Sequence, residues 1–316
     1  DDYVIDVGSN DGTLLKCFKD NGISNIIGVE PVYEIANEAI KNGVETINEY
    51  MNMNTAKKLL NRYNYAKIVT AFNVYAHADD LEEMTKAIKH ILAKNGLFIF
   101  EVSYLLNVIN KMLIGTIFHE HLSYHSVVSI DRFLSTMDLE LINVYEAEEQ
   151  GGSLIGYAQH KGGPFDKNIS ITKYINTEIE FGIDKLSTFN VFQKKLNNLK
   201  NSIHELINNI NKENKTLAAY GAARSGATLM SFFDLGSFIE FIVDDNKEKH
   251  HKYSPGHGVK VLSSDAIYDL KPDYMFILAW MHSEAIINNN IPYLLEGGKF
   301  IEIHPDLRII DINTLI

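Results

Sequence analysis

Three histidines and a carboxylate fall within eight residues at Phe118-His119-Glu120-His121-Leu122-Ser123-Tyr124-His125, the densest group of titratable side chains in the chain. A histidine near its ordinary pKa is the usual proton acceptor at physiological pH, and a carboxylate beside it can orient the ring or hold a substrate hydroxyl. His119 and His121 are both candidate bases, with Glu120 as their companion. In an extended segment the two rings share one face and Glu120 points to the other. The helical arrangement of a zinc protease would need a histidine at position 123, where Ser123 stands, so that spacing is excluded and no metal is expected.

The second chemical feature lies at the start of the chain. The apolar run Tyr3-Val4-Ile5 leads into Asp6-Val7-Gly8-Ser9-Asn10-Asp11-Gly12 and then into a helical pattern from Leu14. Gly8 and Gly12 let the backbone approach a ligand closely at a helix start. Glu30 ends the next apolar run, about 20 residues on, where an acid can accept hydrogen bonds from ribose hydroxyls. A dinucleotide site shares both features, but the G-x-G-x-x-G spacing is absent and Asp11 would repel a pyrophosphate. The pattern favours S-adenosylmethionine over NAD.

The elements that must position these groups follow an alternating rhythm. Tyr3-Val4-Ile5, Ile26-Ile27-Gly28-Val29, Lys67-Ile68-Val69-Thr70 and Leu97-Phe98-Ile99-Phe100 alternate with helical patterns, which predicts βαβ units and a parallel sheet, with turns at Asn21-Gly22 and Lys94-Asn95-Gly96. A helix over 130–137 and a strand over 139–145 are placed to complete that sheet. Phe189, Phe192, Leu196, Leu199, Ile203, Leu206 and Ile210 recur at steps of three and four, an amphipathic helix that reads as a connector. Beyond it, strands are expected over 216–220, 238–243 and 274–278. The first of them enters Gly221-Ala222-Ala223-Arg224-Ser225-Gly226, ahead of a helix from Thr228. The expectation is an α/β chain of two doubly wound domains, 1–160 and 216–316, joined by a helical connector over 161–215.

Bulk properties bound the function. At 316 residues two cores are favoured over one. A formal net charge of -12 argues against non-specific binding to nucleic acid or anionic membrane, so a phosphate-bearing ligand needs local cations. Arg224 is one, since its planar fork suits a diphosphate; Lys247 and Lys249 are others. Asp244 and Asp245 end a strand where a dinucleotide's ribose would lie. The single cysteine, Cys17, fits a reducing compartment and places the chain in the cytoplasm. No apolar run reaches the roughly 20 residues that span a bilayer.

Taken in order, Asp6-Val7-Gly8-Ser9-Asn10-Asp11-Gly12-Thr13-Leu14-Leu15, Asn73-Val74-Tyr75-Ala76-His77, His119-Glu120-His121, Gly151-Gly152-Ser153-Leu154 and Tyr220-Gly221-Ala222-Ala223 resemble the sugar C-methyltransferase family, over nearly the whole chain. The resemblance implies an S-adenosylmethionine domain and a second Rossmann-like domain, acting on a nucleotide-linked keto-deoxysugar. It makes His121 the base, with Glu120 on the sugar and His119 beside them. Asp6, Gly8, Asn10, Asp11, Gly12, Glu30 and Asn73 are expected at the cofactor; Tyr75, Tyr124, Gly221 and Arg224 at the substrate. Two departures stand out. Phe118 replaces the family's tyrosine before the His-Glu-His triplet, which keeps sugar O-methylation open, and the family's N-terminal cysteine-rich zinc module is missing, as in a truncated chain or a divergent branch. An NAD-dependent oxidoreductase and a non-catalytic nucleotide-sugar binding protein are the competing readings.

Overall fold

The computed structural model describes residues 2–148, 151–303 and 306–315. The chain forms two interleaved compact units, one of Asp1–Leu106 with Glu120–Asp184 and the other of Asn107–His119 with Lys185–Ile316. The expected boundaries shift accordingly. Within the segment 161–215, the helix Ile169–Phe181 belongs to the first unit and the helix Leu186–Lys212 to the second.

In the first unit, β1 (Tyr3–Val7), β2 (Ile26–Val29), β3 (Thr46–Ile47), β4 (Ala66–Phe72), β5 (Leu92–Ser103), β6 (Leu139–Ala147) and β7 (Ser153–His160) form one sheet in the order β3-β2-β1-β4-β5-β7-β6. β1 to β5 run parallel, and β7 is antiparallel to both β5 and β6. The strand order reverses between β1 and β4. In an open α/β sheet, ligands bind outside the carboxyl ends of the strands at such a reversal. The Gly8 loop and Asn73 follow those two ends.

The expected turn at Lys94-Asn95-Gly96 is not formed: these residues lie inside β5, whose register with β4 slips between the Ala66–Leu92 and Ile68–Leu97 pairs. β7 lies between β5 and the edge strand β6, and its Gly156 leaves room for a ring: a Cβ there would lie 2.2 Å from Cζ of Phe100. Phe100, Phe98 and the buried Tyr75 pack together, with ring centroids 5.3 to 5.5 Å apart.

In the second unit, β8 (Leu217–Tyr220), β9 (Ile242–Asp244), β10 (Val261–Ser263), β11 (Tyr274–Ile277), β12 (Lys299–Glu302) and β13 (Arg308–Ile310) form a sheet in the order β10-β9-β8-β11-β12-β13, with only β13 antiparallel. Alternate residues of β8 and β11 feed opposite faces, as the period of two requires. Leu217, Ala219 and Phe276 join one core, and Ala218, Tyr220, Met275 and Ile277 the other. Leu196, Ile203, Ile207 and Ile210 belong to the first of these cores, so the long amphipathic helix spends its stripe on this sheet. The strand expected over 238–243 begins only at Ile242. The helix expected from Thr228 begins at Arg224. Among the described residues, no helix is long and apolar enough to cross a membrane.

Two buried acids hold the first unit's elements in place. The Thr70 hydroxyl donates to Asp6 at 2.5 Å, tying β4 to β1 beside the reversal. Burial raises the Asp6 carboxyl from 3.8 to about 7, against the lowering effect of Thr70 and with the Glu30 charge adding to the rise. Glu178, fully buried on Ile169–Phe181, accepts the amides of Val127 at 2.6 Å and Val128 at 2.9 Å. The Ser126 hydroxyl accepts the amide of Ser129 at 3.1 Å, so the first three amides of the helix Val127–Thr136 all have acceptors.

Asp6 keeps its proton in the folded state over a range, about pH 4 to 7, in which the unfolded chain releases it, so this group makes folding less favourable as pH rises through that window. Asp6→Asn should therefore gain urea stability relative to wild type as pH increases across that interval; a difference that stays flat with pH would contradict the assignment. Glu178→Ala leaves two amides without acceptors and should cost about 2–4 kcal/mol, read from urea midpoints at neutral pH. A loss below about 0.5 kcal/mol would show that the carboxylate contributes little.

Candidate functional site

The first loop is built around Glu30. Its carboxylate accepts the Asn10 amide on Oε2 at 3.1 Å and the Val32 amide on Oε1 at 2.9 Å, and it is 6% exposed. A carboxylate has about four lone-pair sites, so two remain for ribose hydroxyls. Asn10 takes a positive φ of 50° and its side chain accepts the Asp11 amide. Asp11 accepts both the amide and the hydroxyl of Thr13; these two bonds, the hydroxyl first, hold its carboxyl below the usual carboxylate range. The loop therefore carries an anion, which suits a cationic ligand and opposes a pyrophosphate. Gly8, at φ 71°, is required by packing: a Cβ would lie 2.2 Å from Val74, the residue after Asn73. The Gly8 loop and the segment after β4 thus lie directly against each other. Gly12 adopts φ 81° at the start of the helix Thr13–Asp20.

Asn73 stands at the end of β4 with φ 56°. Its amide donates to the Glu101 carbonyl at 3.1 Å and its Nδ2 to Glu101 Oε2 at 3.2 Å, while the Ser153 hydroxyl donates to Oε1 at 2.5 Å. Glu101 escaped the sequence reading. Its only signal was a carboxylate closing the apolar strand Leu97-Phe98-Ile99-Phe100. Tyr75, expected at the substrate, is a core residue instead. It is fully buried, its hydroxyl lies 2.5 Å from Thr85 Oγ1, and burial raises its phenol well above the usual value.

The histidine segment is divided by environment. His119 is exposed and belongs to the second unit; Glu120 and His121 are half-buried in the first. The segment after His121 hangs on the turn Tyr75–His77, where the amides of Leu122 and Ser123 donate to the Ala76 carbonyl at 3.0 and 3.3 Å. This brings the His121 ring to 4.9 Å from that of His77, a residue the sequence reading had not given a role, and Tyr124 meets His121 edge-on at 6.0 Å. His125 is buried, sits 3.0 Å from Ser123 Oγ, and is pushed down to about 4 by burial. The residues around His119 and Glu120 form a turn rather than an extended strand.

The second unit repeats the loop-and-acid device. Asp244 at the end of β9 accepts the Ala222 amide at 2.8 Å and the Asn246 amide at 2.9 Å. Here Lys249 also bonds the carboxylate, at 3.0 Å. Gly221, at φ 101°, leaves no space for a Cβ, which would lie 2.4 Å from Ala279. The loop borders a cavity of about 900 Å³ lined by Phe118, His119, Arg224, Lys249, Lys252 and Tyr253 among others. The Arg224 guanidinium lies over the Phe118 ring, 5.2 Å from its centroid.

Residues 1–144 match a methyltransferase domain model, and residues 148–305 match the C-methyltransferase C-terminal domain. C-methyltransferase NovU of Streptomyces niveus is 30% identical over 316 residues, which is all of this chain and 75% of that protein. Among solved structures, magnesium protoporphyrin IX methyltransferase from Synechocystis, with bound S-adenosylmethionine, is 12% identical, covering 50% of this chain and 69% of that one, with a TM-score of 0.38. A methyltransferase from Clostridium acetobutylicum is 13% identical, covering 52% of this chain and 85% of that one, with a TM-score of 0.40. The chain is an enzyme of the C-methyltransferase family, whose methyl donor is S-adenosylmethionine.

Proposed function

We propose that the enzyme methylates a carbon beside the keto group of a nucleotide-linked sugar, with His121 as the base. The observation that carries this reading is the anchoring of the His121 segment on the turn that follows β4, in the same unit as the Glu30 loop and the strand reversal. When bound, S-adenosylmethionine supplies an electrophilic methyl group on a sulfonium cation. Glu30 is set to hold its ribose and the Gly8 to Gly12 loop to surround it, with the Asp11 anion matching its charge.

His121 takes the proton from the carbon next to the ketone, leaving a nucleophilic enolate carbon on the sugar. Glu120 holds a sugar hydroxyl, and Tyr124 backs the imidazole. His125 is a poor alternative base, because burial holds it near pKa 4, far from the pH at which a base both stays unprotonated and still accepts a proton well.

The second unit's cavity suits the nucleotide part of the substrate. Arg224, Lys249 and Lys252 supply the local cations that a diphosphate needs on a chain of net charge -12, and the Phe118 ring adds an apolar face. The same geometry weighs against a working NAD site, since the Lys249 ammonium already occupies the Asp244 carboxylate. Membership of the C-methyltransferase family favours carbon over oxygen as the acceptor, with Phe118 serving Arg224 where the family's tyrosine would carry a hydroxyl. We place this activity in the cytoplasm, where the exposed thiol of Cys17 stays reduced.

Mass spectrometry of a panel of nucleotide-linked keto-sugars incubated with labelled methyl donor tests the reading: one should gain a carbon-bound methyl, and a panel with no labelled product would sink it. His121→Asn should lower turnover about a hundredfold or more with donor affinity in calorimetry unchanged; unaltered turnover removes its role. Arg224→Ala should raise KM for the nucleotide-sugar about tenfold or more with little change in donor affinity, and an unmoved KM would take the diphosphate away from this cavity.

A further inference from the structure

We propose that Glu101 is a positioning residue for the methyl donor, acting through Asn73; this rests on the reading that Asn73 meets the donor. Asn73 is the first residue beyond β4, at the strand reversal, and holds a left-handed φ of 56°. That conformation is strained for most side chains and least so for asparagine, glycine apart. Left alone, the residue would exchange with extended conformers. Glu101 removes that freedom twice, with its carbonyl on the Asn73 amide at 3.1 Å and its carboxylate on Nδ2 at 3.2 Å.

The second bond also sets the direction of the side-chain amide. A carboxylate oxygen is an acceptor, so only the Nδ2 end of Asn73 can face it, and the Oδ1 end is turned from Glu101 as the acceptor. The carboxylate is itself fixed. Ser153 Oγ donates to Oε1 at 2.5 Å, and Ser153 is 1% exposed in the first position of β7, just after Gly151 and Gly152. One side chain thus joins the segment after β4 to the start of β7. Glu101 is itself 7% exposed, and burying a carboxylate costs desolvation that an apolar residue at this point of β5 would avoid. The carboxylate answers that cost with two donors, Ser153 Oγ at the start of β7 and Asn73 Nδ2, and the second bond gives the asparagine a defined orientation.

A double-mutant cycle tests this, with calorimetric affinities of the full chain for S-adenosylmethionine and S-adenosylhomocysteine. Asn73→Ala should weaken binding about tenfold, the loss of one hydrogen bond. Glu101→Gln, which keeps the shape but leaves one carbonyl oxygen where two donors, Asn73 Nδ2 and Ser153 Oγ, now share two, should weaken it by up to a similar factor, and the double variant should bind no worse than Asn73→Ala. Ser153→Ala should act in the same direction by about two- to threefold, again with no effect in the Asn73→Ala background, which keeps the test open if Glu101→Gln does not fold. Losses that multiply in the double variant, or full affinity in Glu101→Gln beside weakened Asn73→Ala, overturn the positioning role while leaving Asn73 at the donor. Full affinity in Asn73→Ala removes Asn73 from the donor site, and the proposal with it.

Discussion

Glu30 spends one lone pair on the amide of Asn10 and another on the amide of Val32, and the first unit's site depends on that choice. The loop after β1 must turn away from the sheet to let a ligand reach the strand ends, and a free loop of that length would sample many conformations. A buried carboxylate on the neighbouring strand gives the Asn10 amide one fixed partner, so the loop is held from the side on which the ribose would lie. The acid anchors the loop, and on the proposed function its remaining lone pairs are the ligand contact. Packing completes the restraint, because Gly8 lies against Val74 and leaves no space for any side chain of its own.

Burial assigns different work to similar residues along the histidine segment. His119, His121 and His125 lie within seven residues of one another, yet one is exposed, one half-buried beside His77, and one buried with its basicity depressed. A periodicity argument could place them on faces but could not rank them, since the ranking comes from the Ala76 carbonyl that takes two amides of the segment and from the core that closes over His125. Tyr75 shows the same limit. Its motif marked it as important, and its importance is to the aromatic core under the site.

Much of the fold was legible because local pattern and tertiary role agreed. β1, β2 and β4 are short apolar runs flanked by turns and buried on both faces, the case in which composition alone identifies a strand. β7 was missed because its sequence carries Gly156 and Gln159, and its place in the sheet comes from pairing with β5 and β6. The helix after β8 was placed too late because Ser225 and Gly226 are weak helix formers. Gly226 is tolerated there because a Cβ would lie 3.0 Å from the Gly221 carbonyl, so a tight packing requirement outweighs propensity. Glu101 was invisible to motif reading for a related reason: its role lies in Asn73 and Ser153, which are 28 and 52 residues away.

The two units also show how one backbone device can be given a different charge by a single side chain. Asp244 stands to Ala222 and Asn246 much as Glu30 stands to Asn10 and Val32, so both acids brace the loop that leaves the first strand of their sheet. In the first unit the acid has no cation against it among the described residues and faces a loop that holds the anion Asp11, an arrangement that disfavours phosphate. In the second unit Lys249 neutralises the acid, Arg224 opens the following helix, and Lys252 lines the same cavity, so the balance of charge is reversed. The shared fold therefore does not imply a shared ligand; on the proposed function, the sign of the charge placed against the bracing acid is what would separate a cationic donor from a phosphate-bearing acceptor.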